Sequence, residues 1–252
     1  MNSVWLILPT YNEAGNLEPL VRAALEALAR ATDDAHILVV DDGSPDGTGA
    51  IADRLAAEHA AVEVLHRARK EGLGRAYLAG FERALRAGAD LIVQMDADFS
   101  HDPAAIPRLV AAARDADVAI GSRYVSGGSI PEWSALRRLV SRIGCGYGRT
   151  VLHVPVRDLT GGFKCFRRPV LDRLSLADVQ ADGYGFQIEL TYRALRAGFK
   201  VTEIPISFGA RRAGRSKMNV RIAAEALWKV PALRVRLASP WPLHQPEGGG
   251  TW

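Results

Sequence analysis

The chain has 252 residues, 48% hydrophobic and 24% charged, which gives it the composition and length of a globular protein with a large core and excludes a disordered or fibrous one. No run approaches the roughly 20 apolar residues of a membrane-spanning helix. Two cysteines, Cys145 and Cys165, without C-x-x-C spacing read as buried free thiols in a reducing compartment, and the six histidines show no metal-ligand spacing.

The chain begins a strand within a few residues and has no signal-peptide layout. An apolar run at 4–8, closed by Pro9, reads as that strand, and 12–15 as a polar turn. Apolar residues at helical spacing predict a helix over 17–31. Strand, helix, strand and helix follow at 36–40, 51–59, 62–66 and 74–87, then a strand at 91–95, a helix at 103–113 and a strand at 118–121. Such alternation with short connections gives a mostly parallel, Rossmann-like sheet covered by helices on both faces. Ligands of these sheets bind beyond the carboxyl ends of the strands. Four polar stretches stand there: 10–13, 41–44, 66–74 and 96–100.

In the last of these, Asp96 and Asp98 are two residues apart. Side chains at i and i+2 of an extended chain point the same way, so two carboxylates converge. A divalent cation with oxygen ligands would relieve their repulsion. The other reading is an acidic turn in which Asp98 caps the next helix.

The second half is less regular. A helix over 133–150 carries Arg137, Arg138, Arg142 and Arg149 and no acidic residue. A Gly-rich turn at 158–163 enters a strand at 164–166, followed by a helix at 184–196 and a strand at 201–208. A basic loop at 211–218 precedes a helix at 220–230. Residues 200–237 hold nine Lys/Arg and two Glu, a net +7 against +4 for the chain, so the remainder is −3. That asymmetry suggests an anionic partner. Lys229, Arg234 and Arg236 among apolar residues suit an anionic membrane surface. For 220–230, however, Val220, Ala223 and Leu227 read as a face covering the protein's own core. Residues 1–237 form one domain in this reading, and the Pro/Gly-rich 238–252 a disordered tail.

Pro9-Thr10-Tyr11-Asn12-Glu13, the stretch Val40-Asp41-Asp42-Gly43-Ser44-Pro45-Asp46-Gly47-Thr48, and Asp96-Ala97-Asp98 resemble the motifs of inverting family 2 glycosyltransferases, which have the GT-A fold. Gly72-Leu73-Gly74-Arg75-Ala76-Tyr77, Asp98-Phe99-Ser100-His101-Asp102-Pro103, Gly121-Ser122-Arg123-Tyr124, Asp158-Leu159-Thr160-Gly161-Gly162-Phe163 and Gly214-Arg215-Ser216-Lys217-Met218 resemble those of the polyprenol- or dolichol-phosphate mannose synthases within it. The likeness keeps motif order from about Val4 to about Leu237.

The resemblance implies a metal-dependent β-D-mannosyltransferase that moves mannose from GDP-mannose to a polyprenyl monophosphate. It would be peripheral on the cytoplasmic face of the membrane, by itself or through an anchoring partner protein. Pro9, Tyr11 and Glu13 would hold base and ribose, with Asp41 and Asp42 in the base pocket. Asp96 and Asp98, with Ser100, would bind Mg²⁺ or Mn²⁺ on the diphosphate. Gln187 and Glu189 would face the sugar, and Arg123 with Arg137 or Arg138 the acceptor phosphate. Arg211 and Lys217 would close over the diphosphate with Ser216 beside them. The family usually shows one arginine where Arg211-Arg212 stands, so which of the two acts stays open.

The chemistry suits these residue types. Cations stabilise the departing diphosphate as its charge forms. A phosphate acceptor, with its second pKa near about 6, is already mostly ionised, so it needs placing more than deprotonating. No side chain is then an obligatory general base. Two other readings remain at this point. One is a related transferase using UDP-glucose with a polyprenyl phosphate, or GDP-mannose with a soluble acceptor. The other is a non-catalytic sugar-nucleotide-binding subunit. Nucleic-acid binding lacks an aromatic stacking platform and a recognition motif.

Overall fold

The computed structural model describes residues 3–179, 183–209 and 220–237. Seven strands form one sheet: β1 (Val4–Thr10), β2 (Ala35–Asp41), β3 (Val62–His66), β4 (Leu91–Gln94), β5 (Val118–Ser122), β6 (Lys164–Arg167) and β7 (Val201–Pro205). Their order is β3-β2-β1-β4-β6-β5-β7, and β6 alone runs antiparallel to its neighbours. The expected mostly parallel sheet is present.

Eight helices accompany it among the described residues: α1 (Leu17–Ala29), α2 (Thr48–Glu58), α3 (Leu73–Arg86), α4 (Ile106–Asp115), α5 (Ala135–Leu152), α6 (Arg168–Arg173), α7 (Tyr184–Arg196) and α8 (Val220–Arg236). β1 shows why its sequence is apolar throughout. Val4, Leu6 and Leu8 pack into one core with α1, α2 and α4, while Trp5 and Ile7 join a second core with α3, α6 and α7. A strand buried on both faces needs no polar alternation. α3 lies especially close to β1. A Cβ at Gly80 would overlap Ile7 Cγ2, so only glycine allows that approach.

Several expectations shift. α6 is a short helix opened by Pro169, too brief for a periodic signal. The predicted strand at 201–208 ends at Pro205, and Ser207 and Phe208 instead make isolated bridges to Ser129 and His101. α8 runs through Pro231 as one helix. Its Val230 and Leu233 are buried, while Leu227, expected on the inner face, is 59% exposed.

Candidate active site

The carboxyl ends of β1, β2 and β3 carry a set of carboxylates held by hydroxyls and backbone amides. Asp41 Oδ1 accepts from Ser44 Oγ at 2.6 Å and Thr10 Oγ1 at 3.1 Å, and Oδ2 from Ser44 N at 3.1 Å. Asp42 pairs with Arg67, which arrives from the loop after β3. Burial pushes the Asp42 carboxyl above its ordinary pKa, and Arg67 works against that shift. Glu13 N donates to Thr48 Oγ1 at 2.9 Å, and Lys70 Nζ sits 3.7 Å from the centre of the Tyr11 ring. Pro9, the last of the buried β1 residues but one, pairs in register with Val40. Pro9, Tyr11, Glu13, Asp41 and Asp42 thus stand on one edge. A cleft of about 460 Å³ lined by Arg67, Ala68, Arg69 and Glu71 opens beside them.

The Asp-x-Asp pair is the centre. β4 ends at Gln94, so the two carboxylates do not converge by strand alternation as the sequence suggested. Both lie instead in the turn after β4, near enough to act together on Tyr77 and His101, and the turn continues into a left-handed Phe99, φ +62°. Asp98 Oδ1 accepts from Ser100 N at 2.9 Å, and the cap of the next helical turn is Asp102, through Ala104 N. Asp98 is therefore not the helix cap of the alternative reading. Tyr77 of α3 donates its hydroxyl to Asp96 Oδ1 at 2.7 Å. Burial, and then Asp96, raise the Tyr77 phenol well above its ordinary pKa, so it stays a donor. Both carboxylates also act on buried His101, whose pKa burial lowers despite them.

Gly162 closes this centre. A Cβ there would lie 3.4 Å from Asp96 Oδ2 and 3.6 Å from Gln187 Nε2, so the carboxylate, the glycine and the amide meet at one point. Gln187 Oε1 is buried and without a hydrogen-bond partner, as is Ser100 Oγ. Behind them Lys164 of β6 donates Nζ to Gln187 O and Thr191 Oγ1, each at 2.8 Å. Its complete burial brings its pKa down to about 7.

Glu189 does not share the Gln187 pocket. Residues two apart on a helix differ by about 200°. Glu189 accordingly turns the other way and pairs with Arg193 and Arg236, each at 2.7 Å.

The arginine end is built on Asp158. Arg123 donates Nε to Asp158 Oδ2 at 2.7 Å and Nη2 to Oδ1 at 2.6 Å, and Nη2 also reaches Thr160. Burial opposes the charge, but Asp158 outweighs it and raises the Arg123 pKa. Glu203 of β7 in turn accepts from the backbone amides of Arg157 and Asp158. Trp133 bridges outward. Arg123 lies 5.6 Å from its ring centre, and Arg137, in the first turn of α5, 3.8 Å. Arg138 reaches Ile130 O at 3.4 Å.

Arg211, Arg212, Arg215, Ser216 and Lys217 lie outside the described residues. The chain leading to them is fixed at Gly209, whose N–H donates to Ser100 O at 3.0 Å. Tyr77, Asp158, Gly162 and Lys164 take part in the site without having been assigned a role from sequence. Tyr77, Asp158 and Gly162 fall inside motifs already singled out, and Lys164 directly follows one. Their roles depend on contacts 19 to 66 residues away, which no local spacing encodes.

A family model described as "Glycosyl transferase family 2" matches residues 5–175. The chain is 48% identical over 233 residues to the polyprenol monophosphomannose synthase of Mycolicibacterium smegmatis, covering 92% of this chain and 86% of the relative. It is 45% identical over 238 residues to the undecaprenyl-phosphate mannosyltransferase of Micrococcus luteus, covering 94% and 96%. Among solved structures, glucosyl-3-phosphoglycerate synthase from Mycobacterium tuberculosis, bound to Mn²⁺, uridine diphosphate and glucosyl-3-phosphoglycerate, superposes with a TM-score of 0.64 at 22% identity. That alignment covers 96% of this chain and 82% of the other, and its likeness is one of fold. The fold is the GT-A type, and the chain belongs to glycosyltransferase family 2.

Proposed function

We propose that this protein transfers mannose from GDP-mannose to a polyprenyl monophosphate, releasing GDP. The observation that carries this is identity of 45–48%, over more than nine-tenths of the chain, to two proteins named for mannosyl transfer to polyprenyl lipids. The site supports it. Carboxylates that suit a nucleotide and its diphosphate stand at one end, and arginines that suit a phosphate stand at the other.

A divalent cation fits at Asp96 and Asp98. Among the described residues no three carboxylate, imidazole or thiol groups gather round one point. Mg²⁺ and Mn²⁺ do not need them, because substrate phosphates and water complete an oxygen shell begun by one or two carboxylates. The orphaned Ser100 Oγ is a further oxygen of the right kind. The ion would supply charge stabilisation of the leaving diphosphate. Tyr77 keeps the Asp96 carboxylate aimed. Gln187 Oε1 gives an acceptor for a sugar hydroxyl. Arg123, Arg137 and Arg138 receive the acceptor phosphate, and Arg211, Ser216 and Lys217 close on the diphosphate. A phosphate nucleophile is already ionised, so no side chain need deprotonate it. The enzyme works peripherally at the cytoplasmic face of the membrane.

The test is transfer of labelled mannose from GDP-mannose, with labelled UDP-glucose in parallel, to a polyprenyl phosphate by wild type and Asp98→Ala. Mannose transfer lost in the variant is expected. Transfer only from UDP-glucose would overturn the donor assignment, and full activity of Asp98→Ala would overturn the metal assignment.

A further inference from the structure

β6 places a lysine inside an apolar core. It is the antiparallel strand of the sheet, so its first residue, Lys164, stands at the edge where the parallel strands end, opposite Gln94, the last residue of β4, and Ile120 of β5. Side chains alternate along a strand. Phe163 and Cys165 enter the core shared with α1 and α4, and Phe166 enters the other, shared with α3 and α7. Lys164 points to that second side, reaches α7 and is completely buried. An apolar side chain would fill the same space. Burial works against the ammonium charge, and Asp158 favours it only from a distance; among the described residues no carboxylate forms an ion pair with it. A buried charge without a counter-ion is strongly unfavourable, so its presence calls for a reason.

The hydrogen bonds give one. Lys164 Nζ donates to Gln187 O and Thr191 Oγ1, each at 2.8 Å, and Thr191 Oγ1 donates to Gln187 O at 3.0 Å. The three close a small ring on one carbonyl in the first turn of α7. Gly183, at the N-cap, has no side chain with which to cap that turn, and the ring ties it to β6. The amide of the same Gln187 reaches the metal turn. A Cβ on Gly162 would lie 3.6 Å from its Nε2 and 3.4 Å from Asp96 Oδ2. Its Oε1 is buried and, among the described residues, without a partner. Gln94, across the strand pair from Lys164, is also completely buried, with both amide atoms unpartnered in the same sense. Such groups are rare in a core, and at the ligand edge of a sheet they are acceptors and donors kept open for a ligand or water. A side chain that keeps a bond open has no partner of its own to aim it, so its backbone must be fixed.

We propose that Lys164 is a positioning residue for the donor sugar, fixing the Gln187 backbone so that its open amide faces the hexose beside Asp96. This rests on the assignment of Gln187 to the sugar and adds what aims it. Lys164→Met keeps the length of the side chain and removes the ring's link to β6. It leaves the Thr191–Gln187 bond in place, so neither Gln187 O nor Thr191 Oγ1 loses its last partner. The substitution thus removes a buried charge and orphans no atom, and should not lower stability at neutral pH. Stability and sugar binding then move in opposite directions, which separates positioning from packing.

The test is calorimetric titration of GDP and GDP-mannose, with UDP and UDP-glucose in parallel, into wild type, Lys164→Met, Gln187→Ala and the double variant, with Mn²⁺ and without acceptor. The quantity read is the affinity for the sugar nucleotide divided by that for its nucleoside diphosphate. Lys164→Met should melt no lower than wild type at neutral pH, bind the diphosphate as wild type does, and lower the ratio about three- to tenfold, as loss of one aimed hydrogen bond would. Gln187→Ala should lower it by as much or more, and the double variant no further than Gln187→Ala, because the lysine acts through the glutamine. A ratio unchanged by either single variant overturns the proposal. So do equal losses for diphosphate and sugar nucleotide, or additive losses in the double variant. Should Lys164→Met fail to fold, Thr191→Val takes its place: it removes one of the lysine's two acceptors and should lower the ratio in the same sense, and an unchanged ratio overturns the proposal equally. If wild type binds UDP-glucose and not GDP-mannose, the functional reading is at fault, and the ratio for the UDP pair still decides the role of Lys164.

Discussion

Tyr77→Phe isolates the aim of Asp96, one of the two carboxylates proposed to hold the metal. The substitution keeps the ring, which stacks on Phe186 at 5.9 Å with an interplanar angle of 4° and lies 6.0 Å from Phe81. It removes one hydroxyl, which donates to Asp96 Oδ1 at 2.7 Å. A hydrogen bond to a charged group contributes about 1.5–3 kcal/mol, or roughly a tenfold to hundredfold change in whatever depends on it. Asp96 is only partly buried, so water replaces the lost donor and the fold loses little. The carboxylate instead gains freedom to rotate, and a cation that relies on it binds less tightly. Mannosyl transfer should therefore need about tenfold more Mn²⁺ for half-maximal rate, with the melting temperature of the metal-free protein changed by less than about 3 °C. The assay is initial rate against Mn²⁺ concentration at saturating donor, beside a thermal melt in chelator. An unchanged half-saturation would refute the positioning role. A large fall in melting temperature with an unchanged metal requirement would make Tyr77 a packing residue only.

Two further predictions concern buried charges. Asp158→Asn leaves Arg123 buried without its counter-charge, a loss of about 3–5 kcal/mol by urea titration, and should raise KM for the lipid phosphate while leaving KM for the sugar nucleotide near wild type; a change in donor KM alone would contradict the acceptor assignment. Folding lowers the pKa of Lys164 from 10.5 to about 7, so between those values the unfolded chain binds the extra proton and stability rises with pH; melting curves should show wild type gaining on Lys164→Met from pH 7 towards pH 10, and a constant gap would mean that Lys164 does not titrate as its burial requires.

The fold was legible because its signals are local. Apolar runs bounded by Gly, Pro and Asp gave the strands, and periodicity gave the long helices. The candidate nucleotide and metal residues were legible for the same reason, as each polar stretch follows its own strand. Relations between distant segments were not. The resemblance implied one sugar pocket for Gln187 and Glu189, but the helix separates them by more than half a turn. The sequence placed Asp96 and Asp98 on one extended strand, whereas β4 ends at Gln94 and both stand in the turn beyond it. Leu227 fits an inward apolar pattern, yet Val230 and Leu233 occupy the inner face, because that choice depends on where α7 and α5 lie.

The arginine end raises a question of charge. Arg123 is bonded through one edge to Asp158, which cancels much of the field it would offer a phosphate. A free arginine would attract more strongly, but it would also hold several rotamers and lose that freedom on binding. Asp158 fixes the guanidinium plane through two parallel bonds, and Glu203 fixes Asp158 through two backbone amides. Thr160 takes a further bond from Nη2, so the side chain is pinned in one orientation. Direction is thus obtained at the expense of net charge. In the proposed reading, a phosphate carrying close to two negative charges needs more than one cation. Arg137, stacked on the same Trp133 in the first turn of α5, is the nearest along the chain of ring contacts. In that reading an orienting arginine held from behind and a second one in the first turn of α5 divide the work between geometry and attraction, which would account for a buried carboxylate at the arginine end of the site.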